Sequence, residues 1–334
     1  EEVVRQCVEK GLVSGRLAVT DSTHVKANAS RASEQEVDAL EEAGNYWERL
    51  DAYEEEGLEE LKRQTGQRRA KRTKQVKKDK RRSRKKVSST DPESGYMKRP
   101  GKPSGFYYLS HQTTDPDHGI ITAVTVTPGD VHDSRPYLEQ LEYVHKHVVP
   151  LQAAAADSAY DFPLAHRALE ELGIDFFVVP QPAHDRTKAE LKRDAFTYNE
   201  QRDVYLCPNG KELRRKRLYR SGSGLFWEYW AEKKDCGSCP LRQKCLNETD
   251  KAGARKLQDS YFKTVVQKHF SRRWEPDYRE ALKQRQIWCE GTFAAQKWGH
   301  NLTRLLRRGL EAAEDHCLLS AAALNLKRMI KHSV

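Results

Sequence analysis

An α/β fold is what the sequence predicts: a mixed sheet flanked by helices and interrupted by a small, strand-rich, cysteine-containing insertion. Three observations carry that reading. Short runs of β-branched and aromatic residues alternate with helix-period segments. The alternation breaks between about residues 181 and 270, where four of the seven Cys fall. The 334-residue chain is 37% hydrophobic, enough apolar material for a sizeable core and against wholesale disorder.

In chain order, residues 16–27 read as the first strand, with Leu17 and Val19 at alternating positions before Asp21. Residues 105–114 and 119–127 are rich in aromatic and β-branched residues. Asp115-Pro116-Asp117-His118 between them is a turn signal, so the two make a hairpin, which Pro128-Gly129-Asp130 ends. His132 to His145 has helical spacing, with Leu138, Leu141 and Val144 on one face and Asp133 or Ser134 placed as a cap. A short apolar strand over 148–156 stops at Asp157. Residues 162–172 read as a helix, Gly173 as its stop and 174–179 as another strand. Beyond the insertion, a long helix runs from Glu275 to Gly299 and a final apolar one from Ala312 to Ile330. Strands and helices mixed in this order argue for a mixed sheet. The chain divides into 1–32 (N-terminal helix and first core strand), 33–92 (charged insertion), 93–180 (core), 181–272 (strand-rich Cys insertion) and 273–334 (helices completing the core).

The formal net charge is +10, and it is local. Residues 33–61 hold twelve Asp/Glu and one Arg, and residues 62–86 hold fifteen Lys/Arg and one Asp. Val37, Leu40, Tyr46, Trp47, Leu50, Tyr53, Leu58 and Leu61 give the acidic block a helix stripe. The basic block cannot bury a core and reads as a solvent-exposed arm, either a solvated charge run or a clamp on phosphates. The start, EEVVRQCVEK, lacks the pattern of a signal peptide, and Glu rather than Met at position 1 fits a fragment. No apolar run approaches about 18 residues, which argues against a membrane span. Seven unevenly spread Cys suit a reduced, cytoplasmic protein better than a disulfide framework.

Three carboxylates stand at special places: Asp21 inside the first strand, Asp157 at the end of a buried strand and Glu290 on the long helix. Converging carboxylates repel unless a cation sits between them, and hard oxygen ligands suit Mg²⁺ or Mn²⁺. Two such ions serve phosphodiester chemistry. The plain alternatives are that Asp21 ends a strand and that Asp157-Ser158 caps a helix.

VTDSTHVKANAS, SGYMKRPGKPSGFYYLSHQTTDPDHGIITAVTVTPGDVHDS, AADSAYD and WCEGTFAAQKWGHNLTRLLRRGLEAAEDHCLLSAAALNLKRMI occur in that order. Together they resemble the DDE transposases of bacterial insertion sequences, in the subgroup with a strand-rich insertion between the second and third acids. The resemblance covers nearly the whole chain except the 33–90 charged stretch. It implies a ribonuclease H-like core, with the three acids on Asp21, Asp157 and Glu290, and a cytoplasmic, nucleoid-associated bacterial protein. It implies DNA partners, element ends and target, and a homodimer on DNA. In the family signature Tyr-x2-Arg-x3-Glu-x6-Lys, Lys297 fits. The Arg and Tyr positions hold Gln286 and Lys283, and Arg285 falls one residue early, about 140° round the helix from Glu290.

Basic and aromatic residues around these motifs are candidate DNA contacts. Lys26 lies near the end of the first strand. Lys98, Arg99 and Lys102 flank a Pro100-Gly101 turn, and Arg304, Arg307 and Arg308 follow the long helix. Trp288 and Trp298 flank Glu290; core packing is their default role, and Trp298 beside Lys297 also suits stacking on an unpaired base. His24, an odd number of residues from Asp21, should face away from it. Cys207, Cys236, Cys239 and Cys245 could supply four thiolates to a structural Zn²⁺, whereas Cys7, Cys289 and Cys317 read as packing residues. The resulting expectation is a transposase performing metal-dependent phosphodiester hydrolysis and strand transfer. An inactive or repurposed DNA-binding relative and a structure-selective nuclease are the alternatives.

Overall fold

The computed structural model describes residues 1–39, 45–65, 83–98, 103–181, 189–221, 224–246 and 253–332. In chain order its elements are α1 (Glu2–Glu9), β1 (Ala18–Lys26), β2 (Glu34–Ala39), α2 (Asn45–Thr65), β3 (Ser83–Ser88), β4 (Gly95–Met97), β5 (Gly105–Asp115), β6 (Ile120–Pro128) and α3 (Ser134–Tyr143). Then follow β7 (Ala153–Ala156), α4 (Pro163–Glu171), β8 (Asp175–Val178), β9 (Thr197–Asn199), β10 (Val204–Leu206), β11 (Glu212–Ser221) and β12 (Gly224–Ala231). The last are α5 (Lys233–Gly237), α6 (Arg242–Cys245), β13 (Lys256–Ser260), α7 (Lys263–Ser271), α8 (Pro276–Gly299) and α9 (Leu310–Lys331). Among the described residues no helix is long and apolar enough to cross a membrane.

The chain forms two compact units, one from residues 1–42, 80–181 and 264–334 and the other from 43–79 and 182–263. The first holds a six-stranded mixed sheet in the order β4-β5-β1-β7-β8, with β6 also paired to β5. β1, β7 and β8 run parallel, while β5 is antiparallel to β1, β4 and β6. This order and these directions are compatible with a ribonuclease H-like core. Side chains alternate across the sheet. Val19, Ala153, Ala155 and Phe177 pack on one face against Tyr278, Ala281 and Cys289 of α8. Further along that face, Val25, Phe106 and Tyr108 meet Ala313 and Cys317 of α9. On the opposite face, Thr20 bonds Thr113, and Gln140 of α3 donates to Thr113. The expected hairpin is β5–β6, and Gly173, at φ +71°, ends α4 where an L side chain would be strained.

The charged stretch folds differently from the expectation. Residues 34–39 are a strand rather than the start of the acidic helix, and α2 begins only at Asn45. The last residues of the basic block are not an arm: β3 pairs antiparallel with β2, setting Glu36 against Lys86, and Lys86 also bonds Glu34. Opposite charges across a ladder stabilise a pairing that neither segment's hydrophobicity announces. Residues 66–82 of the basic block lie outside the described residues.

The second unit is built on an antiparallel sheet in the order β13-β12-β11-β10-β9. α2 packs on it with Leu50, Leu58 and Leu61 buried. Tyr53 lies edge-on to Phe262 at 5.0 Å, and Arg215 bonds Glu60 at 2.9 Å. The acidic helix therefore shares a core with the strand-rich stretch.

Candidate active site

Strand register brings two of the three acids together. β1 and β7 pair in parallel, Val19 beside Ala155, so two residues further on Asp21 and Asp157 stand side by side where the pairing stops. Both continue the alternation of Val19 and of Ala153 and Ala155, so both face α8. Asp157 does also cap, as its other reading had it: its carboxylate accepts from the Ala159 N–H at 2.8 Å at the start of a short 3-10 turn.

The group that meets the pair is Arg285. Tyr278, Ala281, Arg285 and Cys289 form the inward stripe of α8, and Arg285 sits between buried Ala281 and Cys289. Its Nη2 lies 2.7 Å from Asp21 Oδ2 and 3.4 Å from Asp157 Oδ2, and its Nε is a buried donor without a hydrogen-bond partner among the described residues. Burial pushes the Asp21 carboxyl up to about 6; Arg285 and the Ser22 N–H oppose that rise, while Asp157 and Asp133 add to it.

Glu290 does not join them. It lies on the exposed side of α8, and among the described residues no three His, Cys, Asp or Glu side chains form a metal-holding group. The reason is rotational. Cys289 is buried against the sheet, so Glu290 turns about 100° away from the stripe. The 140° between Arg285 and Glu290 holds, but Arg285 is the residue it brings inward. Periodicity could have shown this, since Arg285 is four residues after Ala281 and seven after Tyr278. The pair Asp21 and Asp157 nonetheless fits a divalent cation in donor chemistry: two hard oxygen donors already share one positive charge.

Asp133 is another residue whose role the sequence missed. Its side chain does not cap α3; it accepts from Ser22 Oγ at 2.8 Å, on the face of β1 away from Asp21, with His111 Nδ1 3.9 Å off. His24 points away from Asp21 as its spacing predicts and lies edge-on to Tyr107 at 6.1 Å. His166, fully buried, links Asp161 at 3.0 Å to His269 at 2.9 Å, a network no motif signalled.

The candidate DNA contacts divide. Lys26 and Arg304 form a parallel bridge, with the Lys26 N–H donating to the Thr303 carbonyl, so two exposed cations sit together at the end of β1. Leu302 and Leu305, on either side of Arg304 in the chain, are buried in the core with Val25 and Ala27 and fix that loop. Arg307 pairs with Asp315 at 3.1 Å, and Arg308 donates to the Asn28 carbonyl at 3.0 Å. Lys98 is exposed, Lys297 is partly buried and Lys102 lies outside the described residues. Trp298 is 92% exposed, against its default role of core packing. Trp288 packs on Gly119, where a Cβ would come within 2.3 Å of its ring.

In the second unit, the buried Cys245 thiol is pushed up by burial, with Cys236, Cys207 and Cys239 close enough to add to the rise. Cys207 accepts from the Lys211 N–H at 3.3 Å in a turn closed by Gly210. The four thiols thus share a neighbourhood without forming a closed metal cage. Cys7, Cys289 and Cys317 are buried packing residues, as expected.

Residues 206–330 match the family model described as "Transposase DDE domain". Over that span the chain is similar to transposase DDE domains. No curated protein matches it. The matched span contains Arg285, Glu290 and Lys297 and all four insertion cysteines, and it begins after Asp21 and Asp157.

Proposed function

We propose that the chain is a transposase of the DDE type, catalysing metal-dependent phosphodiester hydrolysis and strand transfer at the ends of an insertion sequence. The observation that carries this is the meeting of Asp21 and Asp157 on one positive charge, at the strand ends of a mixed sheet in a chain whose residues 206–330 are similar to transposase DDE domains. A divalent cation held there, Mg²⁺ or Mn²⁺, would supply charge to a phosphoryl oxygen and acidify a water. Asp21 and Asp157 would be its ligands, with Glu290 as the third acid that the resemblance implies. Arg285, released from the carboxylates, would keep a guanidinium beside the reacting phosphate, and its Nε, without a partner among the described residues, suits a further acceptor. Lys26 and Arg304 would hold the backbone of the strand being cut, with Lys98, Lys102, Lys297, Arg307 and Arg308 as further contacts. Trp298 would stack on an unpaired base. The protein's part is positioning and neutralisation of charge. Two-ended chemistry of this kind suits a homodimer on DNA.

A structural zinc on Cys207, Cys236, Cys239 and Cys245 belongs to the same proposal, supported by the shared neighbourhood of the thiols. It predicts about one equivalent of zinc by metal analysis. Metal-free protein with an unchanged melt would reject it.

The deciding experiment is cleavage and strand transfer on supercoiled plasmid with Mg²⁺ or Mn²⁺. Asp157→Asn and Glu290→Gln should each abolish cleavage while leaving DNA affinity within a few-fold of wild type. A second reading, a DNA-binding relative without catalysis, is favoured by Glu290 facing solvent while Arg285 covers the acid pair. Full cleavage by Glu290→Gln would remove that residue from the mechanism. Cleavage without strand-transfer product would point to a structure-selective nuclease.

A further inference from the structure

We propose that the outer face of the strand-rich sheet in the second unit binds unpaired DNA. β11 is basic at five of its ten positions. Cross-strand partners share a face, and the register sets Arg217 against Glu228, Tyr219 against Phe226 and Trp230 against Lys256. The residues between them, Leu213, Leu218, Leu225, Trp227, Tyr229 and Leu257, are buried on the other face, where α2 packs. The ladder shifts between Arg215 and Arg217. Such a bulge re-aims a side chain, and here Lys216 comes out over Trp230, its Nζ 5.8 Å from the ring centroid. Lys256 Nζ lies 4.1 Å from the same centroid, and the Arg217 guanidinium is 5.1 Å from the ring of Tyr219.

This face therefore interleaves aromatic planes with cations. Of its carboxylates, Glu228 is held by Arg217 at 2.7 Å, Gln258 at 2.9 Å and Trp230 Nε1 at 3.3 Å, and Glu212 by Arg202 at 2.6 Å and Arg214 at 3.2 Å, while Lys216 and Lys256 project exposed ammoniums. An unpaired base has a π-face to offer Trp230, and its flanking phosphates can draw the two ammoniums off the ring. Such stacking tolerates any base, and the cations track the backbone. A duplex keeps its base planes stacked inside and offers the ring no partner, so the occupant is a single strand. The inference goes beyond the cleavage reading, because it concerns strand binding without divalent metal.

The test uses the full chain in EDTA and a fluorescent oligothymidylate of about 12 nucleotides, with a duplex of equal length as comparison. Anisotropy titrations across salt should show tighter binding to the single strand. Replacing both lysines, Lys216→Gln with Lys256→Gln, should reduce the slope of log affinity against log salt by about 1.4, two phosphates' worth. Trp230→Ala should weaken binding about tenfold, and Trp230→Phe, which keeps a ring and guards against misfolding as the cause, should restore most of the loss. An oligonucleotide carrying 5-iodouracil should crosslink to Trp230 or Tyr219 on irradiation. Duplex preference, an unchanged salt slope in the double-lysine variant, or crosslinks confined to other segments would each overturn the proposal. None of these outcomes touches the cleavage assay, so the two readings fail separately.

Discussion

Arg285 is the counter-charge that lets two carboxylates stand side by side at the end of a pair of parallel strands. Replacing it by Met leaves Asp21 and Asp157 facing each other across a half-buried gap. Breaking a buried pair costs several kcal/mol, and partial exposure of Asp157 reduces that to roughly 1–3 kcal/mol here. The melting midpoint of metal-free Arg285→Met should therefore fall by several degrees, and excess Mg²⁺ should recover it more than it stabilises wild type. Equal losses with and without Mg²⁺ would mean that Arg285 merely packs. Asp21 makes a separate prediction. Its carboxyl is raised from 3.8 to about 6, so the folded state binds the proton more tightly than the unfolded one. The associated stability is complete below about pH 4 and is lost as pH rises through 6. Asp21→Asn lacks that loss. The variant should be more stable than wild type at pH 7.5, by roughly 3 kcal/mol at most, with the gap narrowing by pH 4. A gap independent of pH would show that the asparagine acts through packing alone.

At the scale of elements, the β2–β3 ladder offers a direct check on a pairing held by charge. Lys86→Glu places like charges opposite Glu34 and Glu36, which should raise amide hydrogen exchange in 34–39 a few-fold, consistent with a surface pair worth under about 1 kcal/mol. Adding Glu34→Lys should restore part of the protection. No recovery would assign the ladder to backbone bonding alone. The same ladder shows why legibility varied along the chain. β1, the β5–β6 hairpin, α4, β8 and α8 carry period-2 or helical patterns written into adjacent residues, and their boundaries fall within a few residues of the expected ones. β2 and β3 have no apolar alternation, and their pairing depends on charges some fifty positions apart. Asp21 and Asp157 were legible because strand position fixes the face an acid takes. The inward stripe of α8 is written in the spacing of Tyr278, Ala281, Arg285 and Cys289, but the sheet residues it seats on, Val19, Ala155 and Phe177, belong to distant segments. Trp298 escaped for the converse reason: a helix-end aromatic is core-like by composition, and only tertiary packing leaves it bare.

Over the whole molecule, the net charge of +10 belongs mainly to one stretch, and the fold narrows which part of it is available for long-range attraction. Residues 62–65 complete α2 and 83–86 lie in β3, so their charges serve folded elements. Residues 66–82 carry ten Lys/Arg and one Asp. Removing 66–82, with a short Gly-Ser join that spares both neighbouring elements, isolates this charge from the fold. If half of those ten cations neutralise phosphates on duplex DNA, the slope of log affinity against log salt should fall by roughly 4, since each contact releases most of a counterion. Affinity at low salt should drop by orders of magnitude and converge on wild type as salt rises. The melting midpoint should stay close to wild type, because α2 and β3 are both kept whole. An unchanged slope in duplex titrations would return the segment to a solvated charge run and leave the attraction of DNA to the cations at the end of β1 and on the outer sheet face.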